Sequence, residues 1–276
     1  STFDLFATML AGGTTVIIPE YITKFPASHS QLLQDEKITV SYTVPFALIQ
    51  LMERGALESR DLSALRWVLF AGEVFPTKHL KELMKLWPDK RFSNLYGPTE
   101  TNVCTYYHVP NLPDDFEETI PIGLACANEE MLVVDSDDQP VAQGEVGELL
   151  VRGGTVMRGY WGRPDLNEKG FYRRPVFDHY EDIFYRTGDL VQQLPDGNFR
   201  YLGRKDRQVK TRGYRVELDE VEVALLSHSD VKEAAVYTVS DGNGSNLIEA
   251  AVIPNDDAEI TQSLLIKHVG EKLQHY

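Results

Sequence analysis

Three short segments carry the side chains of this chain that are best suited to chemistry. They are Asn-Leu-Tyr-Gly-Pro-Thr-Glu at residues 94–100, Tyr-Arg-Thr-Gly-Asp at residues 185–189 and Gly-Arg-Lys-Asp-Arg-Gln-Val-Lys at residues 203–210. The carboxylate of Glu100 is a hard oxygen ligand that suits Mg²⁺, and the planar guanidinium of Arg204 suits phosphate oxygens. Each segment alone could be an ordinary turn. Their joint order and spacing are much harder to obtain by chance, so we interpret them together.

The region around the first segment alternates between strand and helix signals. Strands are predicted at residues 38–43, 65–70 and 91–95. Helices are predicted to begin at Ser28, at Pro45 with an end at Gly55, and at Pro76. This alternation predicts a parallel sheet with crossover helices, in which ligands lie beyond the carboxyl ends of the strands. Gly72, Glu73 and residues 96–100 fall at such ends.

Short strands separated by hairpin turns follow, and they predict a small β-barrel-like subdomain. The turns are at residues 135–138, 144–147 and 195–197. Beyond Arg204 we expect a strand, a turn at residues 211–213, a helix at 218–226, strands at 231–239 and 247–253 joined by a turn at 241–244, and a last helix from Leu264. The predicted fold class is α/β. Residues 1–204 are expected to form a large part with the parallel sheet and the β-barrel-like subdomain, and residues 205–276 a small α+β domain.

Composition argues against several classes of function. Of the 276 residues, 42 are acidic and 27 are basic, and the net charge of −15 would repel nucleic acid or an anionic membrane. Two cysteines, Cys104 and Cys126, are too few for a disulfide framework and favour a cytoplasmic protein. The histidines form no spaced cluster typical of a metal hydrolase. Residues 3–19 are apolar but are interrupted too early for a membrane span, and we interpret them as a buried helix running into a strand.

Further segments complete a family resemblance that covers nearly the whole chain. They lie at residues 144–150, 158–161 (Arg-Gly-Tyr-Trp) and 212–217. Together the six segments resemble the adenylate-forming superfamily of acyl-CoA synthetases, luciferases and peptide-synthetase adenylation domains. The resemblance implies that a carboxylate attacks the α-phosphorus of ATP and that a thiol then captures the acyl adenylate. It also implies that a phosphate loop precedes Ser1 and a catalytic Lys follows Tyr276, so the chain is expected to be a fragment that is inactive alone.

The resemblance implies roles for individual residues. Thr99 and Glu100 are expected to contact phosphate and Mg²⁺, and Arg204 is expected to lie near ribose and phosphate. The remaining nucleotide-binding residues are expected to be Gly72, Glu73, Asn94, Tyr96, Asp189 and Tyr201. In this set Asp189 accepts the ribose hydroxyls, and Tyr96 offers a flat face to adenine. Lys205 and Asp206 match the hinge about which the small domain turns between half-reactions.

Simpler interpretations remain open for these residues. Tyr96 could be a core aromatic, Asp189 an exposed turn residue, and Arg204 a partner in a surface ion pair.

The resemblance also implies an acyl pocket. By alignment to peptide-synthetase adenylation domains, it is lined by Phe3, Tyr42, Leu69, Ala71, Leu95, Val103 and Cys104. This lining is apolar with one phenol, so it disfavours charged side chains and suits a compact apolar substrate. The series resembles stand-alone ligases that load proline onto a carrier protein in pyrrole and anatoxin-type pathways. The residues could equally be plain hydrophobic core, and the amino-binding Asp of the family would lie two positions before Ser1.

The expected function is activation of a small apolar amino acid, L-proline, and its transfer to the phosphopantetheine arm of a carrier protein. The expected cofactors are ATP and Mg²⁺. The alternatives are a ligase for D-alanine or another amino acid, an acyl-CoA synthetase, or a truncated nucleotide-binding module without catalysis.

Overall fold

The computed structural model of the chain describes residues 2–241, 246–255 and 260–273, without the side chain of Phe3. The chain divides into two compact units, Ser1–Lys205 and Asp206–Tyr276. Each unit contains its own cluster of buried apolar side chains. Among the described residues, no helix is long and apolar enough to cross a membrane.

The first unit contains a five-stranded sheet. Its strands, in spatial order, are β1 (Val40–Thr43), β2 (Trp67–Ala71), β3 (Arg91–Tyr96), β4 (Thr105–Val109) and β5 (Leu124–Ala125). The first three strands are parallel and the last two are antiparallel. The helices of this unit are α1 (Thr2–Leu10), α2 (Glu20–Thr23), α3 (Pro26–Asp35), α4 (Pro45–Arg54), α5 (Thr77–Leu86) and α6 (Pro164–Gly170). Because α4 and α5 connect the parallel strands, the predicted parallel sheet with crossover helices is confirmed.

Proline and glycine set the ends of α4. The helix begins at Pro45, whose fixed φ suits the first turn, and the amide of Gly55 donates to the carbonyl of Leu51 at 2.8 Å. Leu48 and Leu51 are both 1% exposed. The sequence prediction for this helix is confirmed.

Two local predictions near the N-terminus are wrong. α3 begins at Pro26 and not at Ser28, because the amide of Ser28 already donates to the Phe25 carbonyl within the first turn. Residues 13–19 form no strand after α1, and α1 is not the buried helix expected there, because Phe6 and Leu10 are 70% and 91% exposed. A strand exists only through hydrogen bonds to a neighbour, and the edge strand β1 pairs with β2 alone.

The two faces of the first sheet differ in their packing. Side chains alternate along a strand, so Val68 and Phe70 of β2 point to one face and Trp67 and Leu69 to the other. Val68 and Phe70 are fully buried in a core cluster that includes Leu80 of α5. Trp67 and Leu69 are half-buried. One face of the sheet is therefore core, and the opposite face is only partly covered.

The second sheet of this unit is antiparallel throughout. Its strands are β6 (Glu129–Val134), β7 (Val146–Gly153), β8 (Phe171–Phe177), β9 (Tyr180–Gln193) and β10 (Phe199–Arg204). The long strand β9 pairs with β7, with β8 through its first half and with β10 through its second half. This sheet is the predicted β-barrel-like part, and a turn at Gly197, with φ of +85°, joins β9 to β10.

The second unit is α+β, as predicted. Its elements are β11 (Gln208–Thr211), β12 (Tyr214–Glu217), α7 (Leu218–Leu226), β13 (Val231–Ser240), β14 (Asn246–Pro254) and α8 (Gln262–Lys272). The predicted turn at residues 211–213 joins β11 to β12 in a hairpin, whose second strand the sequence pattern does not indicate. Leu225 of α7 packs against Val236 of β13. α8 begins two residues before Leu264, because the hydroxyl of Thr261 accepts a hydrogen bond from the Leu264 amide and caps the helix. The predicted turn at 241–244 falls mostly outside the described residues.

Candidate functional site

Asp189 lies at the centre of a buried polar cluster. It faces Arg204 directly across the β9–β10 pair, and Arg204 Nη1 donates to Asp189 Oδ1 at 3.0 Å. The hydroxyl of Tyr96, from the end of β3, donates to Asp189 Oδ2. Asp189 is 1% exposed and the Arg204 side chain 9% exposed. These two residues are therefore neither an exposed turn residue nor a surface ion pair, and both carboxylate oxygens are engaged.

Local backbone features aim these side chains at each other. Leu202 is an extra residue in β10 relative to β9, and such a bulge redirects the following side chains. The hydroxyl of Thr187 accepts a hydrogen bond from the Asp189 amide at 3.0 Å and donates to the Leu149 carbonyl at 2.7 Å. The carbonyl of Thr187 also accepts from Arg204 Nη1 at 3.0 Å. The Thr-Gly-Asp segment thus fixes both partners of the pair.

Burial sets the protonation of Tyr96. Burial and the neighbouring charge of Asp189 raise the pKa of this phenol well above its ordinary value. The phenol therefore stays protonated at working pH and acts as a donor. A ligand hydroxyl that approached Asp189 would use the remaining lone pairs of the carboxylate or replace the phenol.

Glu100 is buried and is held by a segment distant in sequence. Its carboxylate Oε1 accepts a hydrogen bond from the Tyr160 hydroxyl at 2.8 Å, and its carbonyl accepts from the Met157 amide at 2.7 Å. Burial, followed by hydrogen bonds to Tyr185 and Glu100, raises the pKa of Tyr160. The turn before Glu100 needs Gly97, because a Cβ there would lie 1.6 Å from the Asn102 carbonyl oxygen.

The other expected nucleotide-binding residues lie within or shortly after strands of the two sheets. Gly72 follows β2 with φ of +96°, and the carboxylate of Glu73 accepts from the Phe46 amide at 3.4 Å. Asn94 Nδ2 donates to the Pro121 carbonyl at 2.9 Å, so the Asn94 amide is tied to the protein itself. Thr99 is exposed in the loop after β3. Tyr201 is half-buried and packs against the core cluster that contains Tyr96.

Four of the expected pocket residues share one face of the first sheet. Tyr42 pairs in register with Leu69, Leu69 with Ser93, and Ala71 with Leu95, and register partners point to the same side. This is the partly covered face, opposite the core that contains Phe70. Burial and the charge of Asp4 raise the pKa of the Tyr42 phenol.

The remaining expected pocket residues lie elsewhere or are not described. Cys104 is fully buried in the cluster with Tyr96, and its amide donates to the Tyr96 carbonyl at 2.8 Å. Burial raises the pKa of its thiol to about 12, which makes Cys104 a poor nucleophile. Val103 is half-buried, and the side chain of Phe3 lies outside the described part of the structure.

Lys205, at the end of the first unit, is held in two ways. Its amide donates to the Gly188 carbonyl at 3.0 Å, and its Nζ lies 2.6 Å from Oε2 of the buried Glu148. The same Glu148 oxygen pairs with Arg186 at 3.0 Å. Lys205 is therefore anchored to the β7–β9 pair. Asp206, the first residue of the second unit, accepts a hydrogen bond from the Gln208 amide at 3.1 Å.

Sequence reasoning missed the contacts of Tyr160 and Glu148. Both residues belong to segments that carry the family resemblance, at 158–161 and 144–150, but the resemblance implies no role for either residue. Tyr160 contacts a residue 60 positions away, and Lys205 and Glu148 are 57 positions apart. No local pattern reports contacts at such separations.

The chain matches two family descriptions in succession. Residues 1–161 match "AMP-binding enzyme", and residues 220–276 match "AMP-binding enzyme C-terminal domain". The chain is 38% identical over its whole length to an L-proline--[L-prolyl-carrier protein] ligase of Pseudomonas fluorescens, of which it covers 52%. It is 43% identical over 248 residues to a ligase of the same name from Streptomyces coelicolor, covering 88% of this chain and 44% of that protein.

A solved structure shows the same architecture. The crystal structure of IdnL1 superposes with a TM-score of 0.84 at 29% identity, over 96% of this chain and 54% of that one. The chain thus spans about half the length of the relatives that it matches. The family match covers more than half of this chain, and the similarity to the Pseudomonas fluorescens protein covers all of it, so this chain belongs to the AMP-binding enzyme family.

Proposed function

We propose that the full-length protein activates a small apolar amino acid, L-proline, with ATP and transfers it to the phosphopantetheine thiol of a carrier protein. One observation carries the proposal: Leu95 and Tyr96 are consecutive at the carboxyl end of β3. Leu95 lies on the face expected to line the acyl pocket, and Tyr96 contacts the buried Asp189. Consecutive side chains of a strand point to opposite faces, so the amino-acid side chain and the nucleotide would lie on either side of this strand end, and the carboxylate and the α-phosphate of ATP would meet just beyond it.

The first unit supplies groups suited to a nucleotide. Each oxygen of Asp189 has two lone pairs, so the carboxylate can accept ribose hydroxyls beside its contact with Arg204. Arg204 is fixed by that pair and would bring positive charge to the phosphates. The exposed hydroxyl of Thr99 is available to a phosphate oxygen. Attack by a carboxylate on phosphorus needs positioning and charge neutralisation more than a protein nucleophile, and these residues can provide both.

Mg²⁺ fits the donor set around Glu100. Its buried carboxylate is a hard ligand, but the described residues contain no group of three His, Cys, Asp or Glu side chains that could hold a metal alone. Proteins usually bind Mg²⁺ through one or two carboxylates together with substrate phosphates. Glu100 would therefore hold the ion together with ATP, where the ion would neutralise phosphate charge.

The expected acyl pocket favours an apolar amino acid. Tyr42, Leu69, Ala71 and Leu95 present aliphatic surface and one phenol on the same face. A charged substrate side chain would lose its hydration there without gaining an ionic partner from these four residues. Two relatives named as L-proline carrier-protein ligases support proline in particular.

Transfer to a carrier protein would involve the hinge expected at Lys205 and Asp206. Adenylation and thioester formation need different groups at the acyl phosphate, and a hinge between domains is one way to exchange them. Lys205 is anchored through Glu148 and Gly188, so backbone rotation would begin at Asp206. This supports the assignment of the hinge to Asp206 rather than to Lys205.

ATP–pyrophosphate exchange by the full-length protein tests the first half-reaction. The substrates are the proteinogenic amino acids, D-alanine, and a set of aryl and fatty acids. The proposal predicts the fastest exchange with L-proline, and loss of exchange with every substrate in Asp189→Ala. Fastest exchange with D-alanine would overturn the choice of L-proline as substrate but not amino-acid activation. Exchange only with aryl or fatty acids would overturn amino-acid activation itself.

A further inference from the structure

The loop between β7 and α6, which contains the Arg-Gly-Tyr-Trp segment at residues 158–161, holds Glu100 at two points. Tyr160 donates its hydroxyl to Glu100 Oε1 at 2.8 Å, and the amide of Met157 donates to the Glu100 carbonyl at 2.7 Å. Glu100 itself is 8% exposed. Its main chain and its carboxylate are thus fixed by the same short loop.

Tyr160 is itself held rigidly. Its amide donates to Asn167 Oδ1 at 2.7 Å, and Asn167 Nδ2 donates back to the Tyr160 carbonyl at 3.1 Å. Gly159 permits this contact, because its φ is +144° and a Cβ there would lie 3.0 Å from Asn167 Oδ1. The Tyr160 ring also lies against Gly170 at the end of α6. A phenol clamped in this way has little freedom to leave the carboxylate.

We propose that Tyr160 is a positioning residue for the metal-binding carboxylate of Glu100. This inference rests on the proposed function. By binding one oxygen of Glu100, Tyr160 sets the plane of the carboxylate and so the direction in which it meets Mg²⁺ on ATP. Partners that orient metal ligands in this way commonly affect metal affinity by about 10- to 100-fold.

A neutral phenol suits this task better than a cation. Lys or Arg at the same distance would form an ion pair with Glu100 and compete with the metal for its negative charge. Tyr160 orients the carboxylate without cancelling that charge. The hydrogen bond therefore prepares Glu100 for a divalent ion that arrives with the nucleotide.

The test measures ATP affinity of the full-length protein, with and without Mg²⁺, by displacement of a fluorescent ATP analogue. For Tyr160→Phe we expect the gain in affinity that Mg²⁺ provides to fall about tenfold. ATP affinity in EDTA should stay within about twofold, because that binding does not use the metal. Tyr172→Phe is the matched control, since it removes a phenol of β8 whose ring packs on Phe184 of β9.

A double-mutant cycle with Glu100→Gln completes the test. Once Glu100 is Gln, adding Tyr160→Phe should cause no further loss of the Mg²⁺ effect, because the two residues act as one unit. An unchanged Mg²⁺ effect in Tyr160→Phe, or equal losses with and without Mg²⁺, would overturn the positioning role. If the wild-type protein bound ATP equally well in EDTA, the metal role of Glu100 in the proposed function would fail as well.

Discussion

Tyr96 and Asp189 are joined by a buried hydrogen bond although they are 93 residues apart and belong to different sheets. Tyr96 ends a parallel strand of the first sheet, and Asp189 lies in the long strand of the antiparallel sheet. The contact brings together two segments that the sequence could only relate through a family resemblance. Removing this hydrogen bond should therefore change both the stability of the protein and the effect of ATP on that stability.

Tyr96→Phe should lower the free energy of unfolding of the ligand-free protein by about 2 kcal/mol, because a buried carboxylate loses a donor. Urea denaturation measures this change. Saturating ATP should raise the melting temperature of the variant more than that of the wild type, since ribose hydroxyls would replace the missing donor. Equal shifts in the two proteins would contradict a ribose contact at Asp189.

The contacts of Glu148 predict that replacing Glu148 and replacing its partner Lys205 will cost unequal amounts of stability. Glu148 is 5% exposed and accepts from Arg186, Lys205 and the Gly188 amide, whereas the Lys205 side chain is 49% exposed. Glu148→Gln should cost about 3 kcal/mol of stability. Lys205→Met should cost only about 0.5 kcal/mol, because an exposed cation interacts weakly. Urea denaturation that gave equal costs would contradict this account of the anchor.

Cys104 should make stability fall in alkaline solution. Burial raises the pKa of its thiol to about 12 in the folded protein from an unfolded value of 9.0. The contribution of the protonated thiol to the free energy of unfolding is therefore fully present below pH 9 and is lost as the pH rises from 9 towards 12. Between pH 8 and pH 10, the wild type should lose about 1 kcal/mol more than Cys104→Ala does. Urea denaturation at the two pH values measures the difference, and parallel losses would contradict the pKa assigned to Cys104.

Replacement of Asp206 tests the hinge. Asp206→Pro restricts backbone rotation, so it should spare ATP–pyrophosphate exchange and slow thioester formation on the carrier protein. Asp206→Ala is the matched control, because it removes the carboxylate but leaves the backbone free to rotate. If the two half-reactions slowed equally in Asp206→Pro, a hinge role would not explain the residue.

Local sequence signals predicted helices and strands better than they predicted contacts between distant side chains. Pro45 and Gly55 fixed the ends of α4 because Pro and Gly act on the backbone where they stand. Residues 13–19 failed as a strand, since pairing depends on a neighbour that β-branched composition cannot supply.

The contacts of the candidate site depended on the fold. The family resemblance identified Glu100 and Asp189, but their partners Tyr160 and Tyr96 approach from 60 and 93 residues away. Similarly, the shared face of Tyr42, Leu69 and Leu95 follows from strand register, which the sequence alone did not specify.

The most direct test of the central claim is the mass of a carrier protein after loading. The full-length protein is incubated with ATP, Mg²⁺, a carrier protein bearing phosphopantetheine and an equimolar mixture of amino acids. We predict a prolyl thioester on the carrier, formed only when ATP is present and absent when Asp189 is replaced by Ala. A carrier that stays unloaded, or that gains a different amino acid, would contradict the account.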